Sequence, residues 1–594
     1  MDASRLNKME KGIKEAHDLI DAHLNDYAKY VAQPIYNVKG YGAKGDGTTD
    51  DATAIQSAID AAGASGGGTV YIPKGTYLIG TTLNLPSNVH VLGEGKDVTI
   101  LRDHENLGPN RIFFVQGTPE NMVKNISFRG VTIQNGIATT DLYTSGKDGI
   151  RCEYVDGLTI EHCKITEIQG AFGIAVKYSK NILVQHCEFY RWTYSGMSVL
   201  VECENIKVLD NVFDCALSQN TAQTYTLVTG GENLNEGQFF LKNLWVERNI
   251  FRNNPQWEGI DSHGGENIWI RDNYIENCKV GIMCSVTGGY VTNPVLKNVF
   301  IENNTIYQGN GEDNQSGIVV SGDNTIPRLA EKISIRGNKV VGFGGTDAIT
   351  VGSITIYLAK NVLIEENEID DFAQSAVTLY HTVWGAKILN NRFRNCRGGA
   401  NQTVTAGITF AAYGIYDILI EGNSIGANII AKRPKYFMRV AQNRIGAIQI
   451  RNNTVLDVET GLYYNDAALP VNKSATPTLV TQKFGDVIYK NTGNPGWYVS
   501  SPTVGIGSQI TDVIVTVNMT AGSNVATIAS NVTRSWNDLP PGMNVSIAGA
   551  GPSGGALNAR IVDNDGTNLT LDAPASTTVS GANLTYQGLT LQQV

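Results

Sequence analysis

"NIWIRDNYI", residues 267–275, contains an alternation and an asparagine that decide the fold. Ile268 and Ile270 alternate with Trp269 and Arg271, so the segment reads as a strand with one apolar face turned in and the other turned out. Asn273 follows at a turn. The same register recurs as "NISFRGVTI" from 125, "GLTIEHCKI" from 157, "NILVQHCEF" from 181, "NIKVLDNVF" from 205, "NLWVERNIF" from 243, "NVFIENNTI" from 298, "KISIRGNKV" from 332, "NVLIEENEI" from 361, "DILIEGNSI" from 417 and "AIQIRNNTV" from 447. Each unit is too small to bury its own apolar face, so successive units must stack as rungs.

The columns of this stack carry the argument further. The seventh position holds Val131, Cys163, Cys187, Asn211, Asn249, Asn273, Asn304, Asn338, Asn367, Asn391, Asn423 and Asn453. Amides repeated about 4.8 Å apart can bond from rung to rung, which predicts a right-handed parallel β-helix over residues 125–468. Cys163 and Cys187 fit the same column as small buried apolar groups. The eight cysteines show no CxxC pairing or metal-ligand spacing. The fifth position alternates in sign from Glu247 through Arg271, Glu302, Arg336 and Glu365, which is an exposed charge ladder and gives Arg271 a structural role. The third position, with Leu183, Trp245, Trp269, Phe300, Leu363 and Leu419, is an outward apolar stripe of the kind that packs subunits together.

Composition agrees. Among 594 residues, 64 are glycine, as tight turns between short strands require. The net charge of −10 excludes a nucleic-acid or anionic-membrane partner that needs basic surface. No stretch reaches the roughly 20 apolar residues of a membrane span, and the polar, helical N-terminus does not read as a signal peptide. In residues 1–33, Leu6, Met9, Ile13, Ala16, Ile20, His23, Tyr27 and Tyr30 follow heptad spacing and predict a coiled coil, hence an oligomer. Residues 34–124 form the cap and first rungs of the stack. Within them, "DDATAIQSAIDAA" predicts a helix to about Ala62, capped by Thr49 or Asp50.

The segment "YNVKGYGAKGDGTTDDATAIQSAIDAAGASGGGTVYIPKGTYLIG", residues 36–80, resembles the opening of the pectate-lyase-like β-helix superfamily, particularly phage tailspikes and polysaccharide depolymerases. The resemblance implies a homotrimeric enzyme needing no organic cofactor, placed in a virion tail appendage beside other tail proteins. It would cleave a bacterial surface polysaccharide.

A second strand register locates the candidate chemistry. "GIRCEY" (149), "GIAVKY" (173), "GMSVLV" (196), "GIDSHG" (259), "GIMCSV" (281), "GIVVSG" (317), "AITVGS" (348), "AVTLYH" (376) and "GITFAA" (407) place apolar or small residues inward at positions two and four in almost every rung. Positions three and five then face out, and at one rung they are Asp261 and His263. Neither belongs to a charge ladder. Glu258 and Trp257 precede them at the mouth of the strand, and residues 215–238 read as an insertion walling the preceding rung. Asp261, His263 and Glu258 are therefore the candidate catalytic residues. Trp257, Tyr380, Arg151 and Lys177 are candidate substrate contacts, and no metal site is assigned.

Two carboxyl groups suit glycoside hydrolysis, with His263 tuning the pair. With His263 as base, or Tyr380 in a longer groove, β-elimination is the competing chemistry. The paired aspartates of polygalacturonases are absent, and "SHGG" matches their Gly-His-Gly only loosely. A metal-assisted teichoic-acid phosphodiesterase and a receptor-binding fibre without activity are the other readings. Residues 469–508 read as a linker and hairpin, and 509–594 as a small β-sandwich-like domain that holds the trimer or binds glycan through Trp497 or Trp536.

Overall fold

The computed structural model describes residues 33–104, 111–136, 147–169, 172–216, 224–230, 240–286, 295–308, 315–323, 329–344, 351–397, 405–411, 414–428, 432–440, 448–456, 461–465, 482–483, 513–531, 539, 544–564 and 567–586. The heptad segment, most of the linker, Trp497 and Trp536 lie outside the described residues. The chain is predominantly β, and it divides into two compact units, Met1–Val199 with Cys203–Thr224, and Leu200–Glu202 with Tyr225–Val594.

In the first unit, the helix Ala52–Ala64 buries Ala52, Ile55, Ala58, Ile59 and Ala62, the face its apolar spacing selects. Its N-cap is Asp51, not Thr49 or Asp50. The Asp51 carboxylate instead accepts from the backbone N–H groups of Lys44 and Gly45, while Asp50 accepts from those of Ala52 and Gly80. Beyond the helix the strands stack in parallel, as in Val155–Glu161 on Lys180–Gln185 on Cys203–Leu209. The asparagine column begins here: the Cys187 N–H donates to Asn211 Oδ1 at 2.9 Å, and Asn211 Nδ2 donates to the Val184 carbonyl at 2.9 Å.

The second unit carries a longer stack, Leu241–Glu247, Gly265–Arg271, Leu296–Glu302, Ala330–Arg336 and the second half of Ile354–Glu365. The amide ladder runs without a break from Asn249 to Asn453. At each step Oδ1 of one asparagine accepts the backbone N–H of the preceding one, as in Asn304 to Asn338 at 2.9 Å. The side-chain amide is used twice, since Asn304 Nδ2 also donates to Asn338 Oδ1 and to the Ile270 carbonyl. These buried amides are thereby satisfied, which removes the penalty of placing them in the core. On the outer face, Trp245, Trp269 and Phe300 stack with centroids 4.9 and 5.9 Å apart, and Arg271 pairs with Glu302 at 2.9 Å.

Two rungs depart from the expected register. Residues 215–238 are not purely an insertion, because Tyr225–Thr229 is a strand paired in parallel with Ile260–Ser262. The rung after Ile318–Ser321 is Ile354–Tyr357, not the "AITVGS" stretch from 348. The C-terminal residues are not a sandwich but a closed six-stranded antiparallel barrel, ordered Val513–Met519, Val525–Asn531, Asn568–Leu571, Leu557–Asn564, Asn544–Ile547 and Val579–Tyr586. Closure leaves no free strand edge around a core that includes Val517, Ile547, Leu569 and Leu584. Seven cysteines, Cys152, Cys163, Cys187, Cys203, Cys278, Cys284 and Cys396, are buried as thiols rather than as disulfides. Among the described residues no helix is long and apolar enough to cross a membrane.

Candidate functional site

The site is built on the strand Ile250–Ser262 and its successor Tyr274–Ser285. Asn254 pairs with Cys278 and Glu258 with Val280, so three residues, Pro255 to Trp257, bulge out opposite the single residue Lys279. Pro255 lacks the N–H that a regular ladder would need, which suits it to a bulge. Asn254 closes the bulge from beneath, donating through Nδ2 to the Glu258 carbonyl and to Thr226 Oγ1, each at 3.1 Å. Glu258 is thereby fixed at the point where regular pairing resumes.

After the bulge the alternation is regular. Ile260 and Ser262 point inward and are fully buried, and Asp261 and His263 take the opposite face. The expected exposure of Asp261 is corrected, however. It is only 3% exposed and Glu258 only 6%. Alternation fixes the direction of a side chain but not what lies over it, and here Tyr225 from the rung before stands edge-on to both Trp257 and His263, at 6.5 and 6.3 Å between centroids. Gly230 lies beside His263. A Cβ there, on a backbone with φ of 84°, would come within 2.8 Å of His263 Cβ.

His263 Nε2 is 2.8 Å from Asp261 Oδ2, and its backbone N–H donates to the Thr229 carbonyl. Two buried oxygens in this small space, Asp261 Oδ1 and Glu258 Oε2, have no hydrogen-bond partner among the described residues. Burial, with the charge of Asp261 added, pushes the Glu258 carboxyl up to about 9, so it is protonated at neutral pH. Burial pulls the His263 imidazole down, but the charge and hydrogen bond of Asp261 outweigh it, and the net shift is upward. The surroundings thus shift both Glu258 and His263 away from their ordinary values, the arrangement acid–base chemistry needs.

Lys279 is a member of the site that the sequence reading missed. Its ammonium lies 4.9 Å from the Trp257 ring centroid and draws the Glu258 carboxyl downward. Only the mismatch between three residues on one strand and one on the next places it there, and that mismatch is not visible without the pairing.

The remaining candidates are distributed elsewhere. Arg151 and Lys177 belong to the first unit. Arg151 pairs with Glu153 at 2.7 Å and with the buried Asp148 at 3.6 Å, and Arg111 also reaches Asp148, at 3.1 Å. Lys177 lies over the Tyr178 ring. Tyr380 is in the second unit, stacked on Tyr357 at 5.1 Å with His381 beside both. No cluster of three or more His, Cys, Asp or Glu able to hold a metal ion occurs among the described residues, so the metal-assisted phosphodiesterase alternative has no donor set among them.

Residues 35–287 match the family described as rhamnogalacturonase A/epimerase, pectate lyase-like. Mannuronan C5-epimerase AlgE1 of Azotobacter vinelandii is 34% identical over 149 residues, which is 23% of this chain and 10% of that protein. Alginate lyase 7 of the same organism is 33% identical over 147 residues, 22% of this chain and 17% of that protein. This chain therefore spans less than a fifth of either relative. Among solved structures, bacteriophage CBA120 tailspike protein 3 aligns with a TM-score of 0.39 at 14% identity, covering 76% of this chain and 61% of that one. The stretch similar to this family, residues 35–287, includes Glu258, Asp261, His263 and Lys279, so the candidate site lies within it.

Proposed function

We propose that the protein is an enzyme acting on a polysaccharide, and that Glu258, Asp261 and His263 cleave it by glycoside hydrolysis. The observation that carries this reading is the pair of buried carboxyl groups, each with an oxygen lacking a partner among the described residues, one held protonated by its surroundings. Glu258 gives its proton to the glycosidic oxygen as the bond to the anomeric carbon breaks. Asp261, held in place by His263, takes a proton from the attacking water. Trp257 offers a ring face for a sugar beside them. Similarity to an epimerase and a lyase supports a second reading, in which His263 removes a proton beside a sugar carboxylate and the neutral Glu258 donates a hydrogen bond to the resulting anion.

The finer reading is a homotrimeric phage tail appendage acting on a bacterial surface polysaccharide. The outward stack of Trp245, Trp269 and Phe300 supports association of copies of the chain.

Incubation with bacterial exopolysaccharides, alginate, polygalacturonate and teichoic acids tests the activity. New reducing ends without an unsaturated, ultraviolet-absorbing product mean hydrolysis, and with one they mean elimination. Solvent deuterium entering an uncut polymer means epimerisation. No change in any polymer overturns the enzymatic reading in favour of a binding fibre.

A further inference from the structure

The outward position occupied by His263 continues along the stack of the second unit. Ser262 pairs with Cys284, so His263 is followed by Ser285. Ser285 pairs with Ser321, Ser321 with Tyr357, and Tyr357 with Tyr380. Four steps of about 4.8 Å place Tyr380 roughly 19 Å from His263 on the same face. The two positions between His263 and Tyr357 hold serines, whose small hydroxyl side chains leave the line low. At its far end two tyrosine rings lie 5.1 Å apart and 21° from parallel, both half-buried.

This end is built with an irregularity of its own. Tyr357 pairs with Tyr380 and Ala359 with Val383, so His381 and Thr382 oppose the single residue Leu358. His381 and Thr382 have φ of 59° and 37°, a left-handed conformation that a β-branched residue such as Thr382 rarely adopts. Strain of this kind persists only where surrounding structure holds it, and it gathers at sites of function. The fully buried Thr382 hydroxyl lies 3.0 Å from His381 Nδ1, which fixes the imidazole beside both tyrosines.

We infer that Tyr357, Tyr380 and His381 form a second carbohydrate subsite, which holds pyranose rings of the same polysaccharide chain whose cleaved bond lies over Glu258, Asp261 and His263. The inference rests on the reading of that site as polysaccharide-active. It adds a direction, with substrate running along the stack axis past Ser285 and Ser321. It also adds a length requirement, because an oligosaccharide too short to span roughly 19 Å cannot use both ends at once. Faces of aromatic rings suit the apolar faces of sugars, and an imidazole adds a polar contact at the edge.

The experiment compares wild type, Tyr380→Ala, Tyr357→Ala and Tyr380→Phe on the polymer that the wild type cleaves, with alginate and polygalacturonate tried first, and on size-fractionated oligosaccharides of it. Tyr380→Ala and Tyr357→Ala should each raise KM for the long polymer by about five- to tenfold with kcat unchanged. KM for oligosaccharides shorter than the span should stay where it was, and Tyr380→Phe, which retains the ring, should recover most of the polymer affinity. Equal effects on short and long substrates, or none on either, would overturn the subsite while leaving the catalytic reading intact. If the wild type neither cleaves nor binds any polymer in an affinity gel, the reading of the catalytic site fails and the subsite with it.

Discussion

His263 Nε2 stands 2.8 Å from Asp261 Oδ2, while Asp261 Oδ1 is buried with no hydrogen-bond partner among the described residues. The carboxylate is thus anchored on one side and open on the other, the posture of a group waiting for a substrate or a water. Asp261→Asn keeps the shape and removes the charge, and activity should fall by at least about 100-fold. Burial would then act on His263 unopposed, so its imidazole should titrate at lower pH in the variant by NMR. An unchanged titration would mean that the two side chains do not interact in solution.

Glu258 gives a stability prediction with a definite sign. Its folded carboxyl holds its proton up to about 9, whereas the unfolded chain releases it near the ordinary value of 4.5. Between those limits the unfolded state binds fewer protons, so this group makes stability fall as pH rises and stop falling above about 9. Glu258→Gln removes the effect. Its melting temperature should therefore gain on that of wild type steadily from about pH 5 to pH 9, while activity is lost throughout. A constant difference across this range would refute the raised value.

Lys279 should tune that same group. Because its ammonium draws the Glu258 carboxyl downward, Lys279→Met should move the alkaline limb of the pH–rate profile to higher pH. The variant also loses the cation over the Trp257 ring, so KM should rise modestly, by a few-fold. A profile that does not move would place Lys279 outside the site.

The amide ladder predicts a purely structural defect. Asn304→Leu deletes the donor to the Ile270 carbonyl and the acceptor of Asn273, and leaves both neighbours unsatisfied in the core. The cost should be roughly 1–3 kcal/mol per chain, read as a lowered denaturation midpoint. Arg271→Ala removes an ion pair whose partners are 34% and 25% exposed, and it should cost under about 1 kcal/mol with little change in turnover.

Assembly is tested by mass. If the stack of Trp245, Trp269 and Phe300 packs copies together, light scattering should give three chains, and Trp269→Asp should weaken that state. A single-chain mass at micromolar concentration would overturn the trimer.

The repeat was legible because it is written in columns: nine asparagines in one position can be read without coordinates. Four features were not legible, each for a different physical reason. The rung at Tyr225–Thr229 is short and sits between polar, loop-like stretches, so it looks like loop until its parallel partner Ile260–Ser262 is known. Tyr357 is hidden because two stretches between Ser321 and Val377 both fit a strand, and period-two patterning alone does not tell them apart. The direction of Asp261 followed from alternation, but its burial depends on neighbouring rungs. Lys279 became visible only through the bulge at Pro255–Trp257.

The buried cysteines make the protein its own reporter of opening. Seven thiols, spread from Cys152 to Cys396 and engaged in no disulfide, are shielded in the native state. A thiol reagent can reach them only when the rungs around them part. Alkylation followed by peptide mapping would therefore time the exposure of each stretch of the chain separately. It would reveal whether the stack frays from its ends or parts as a whole.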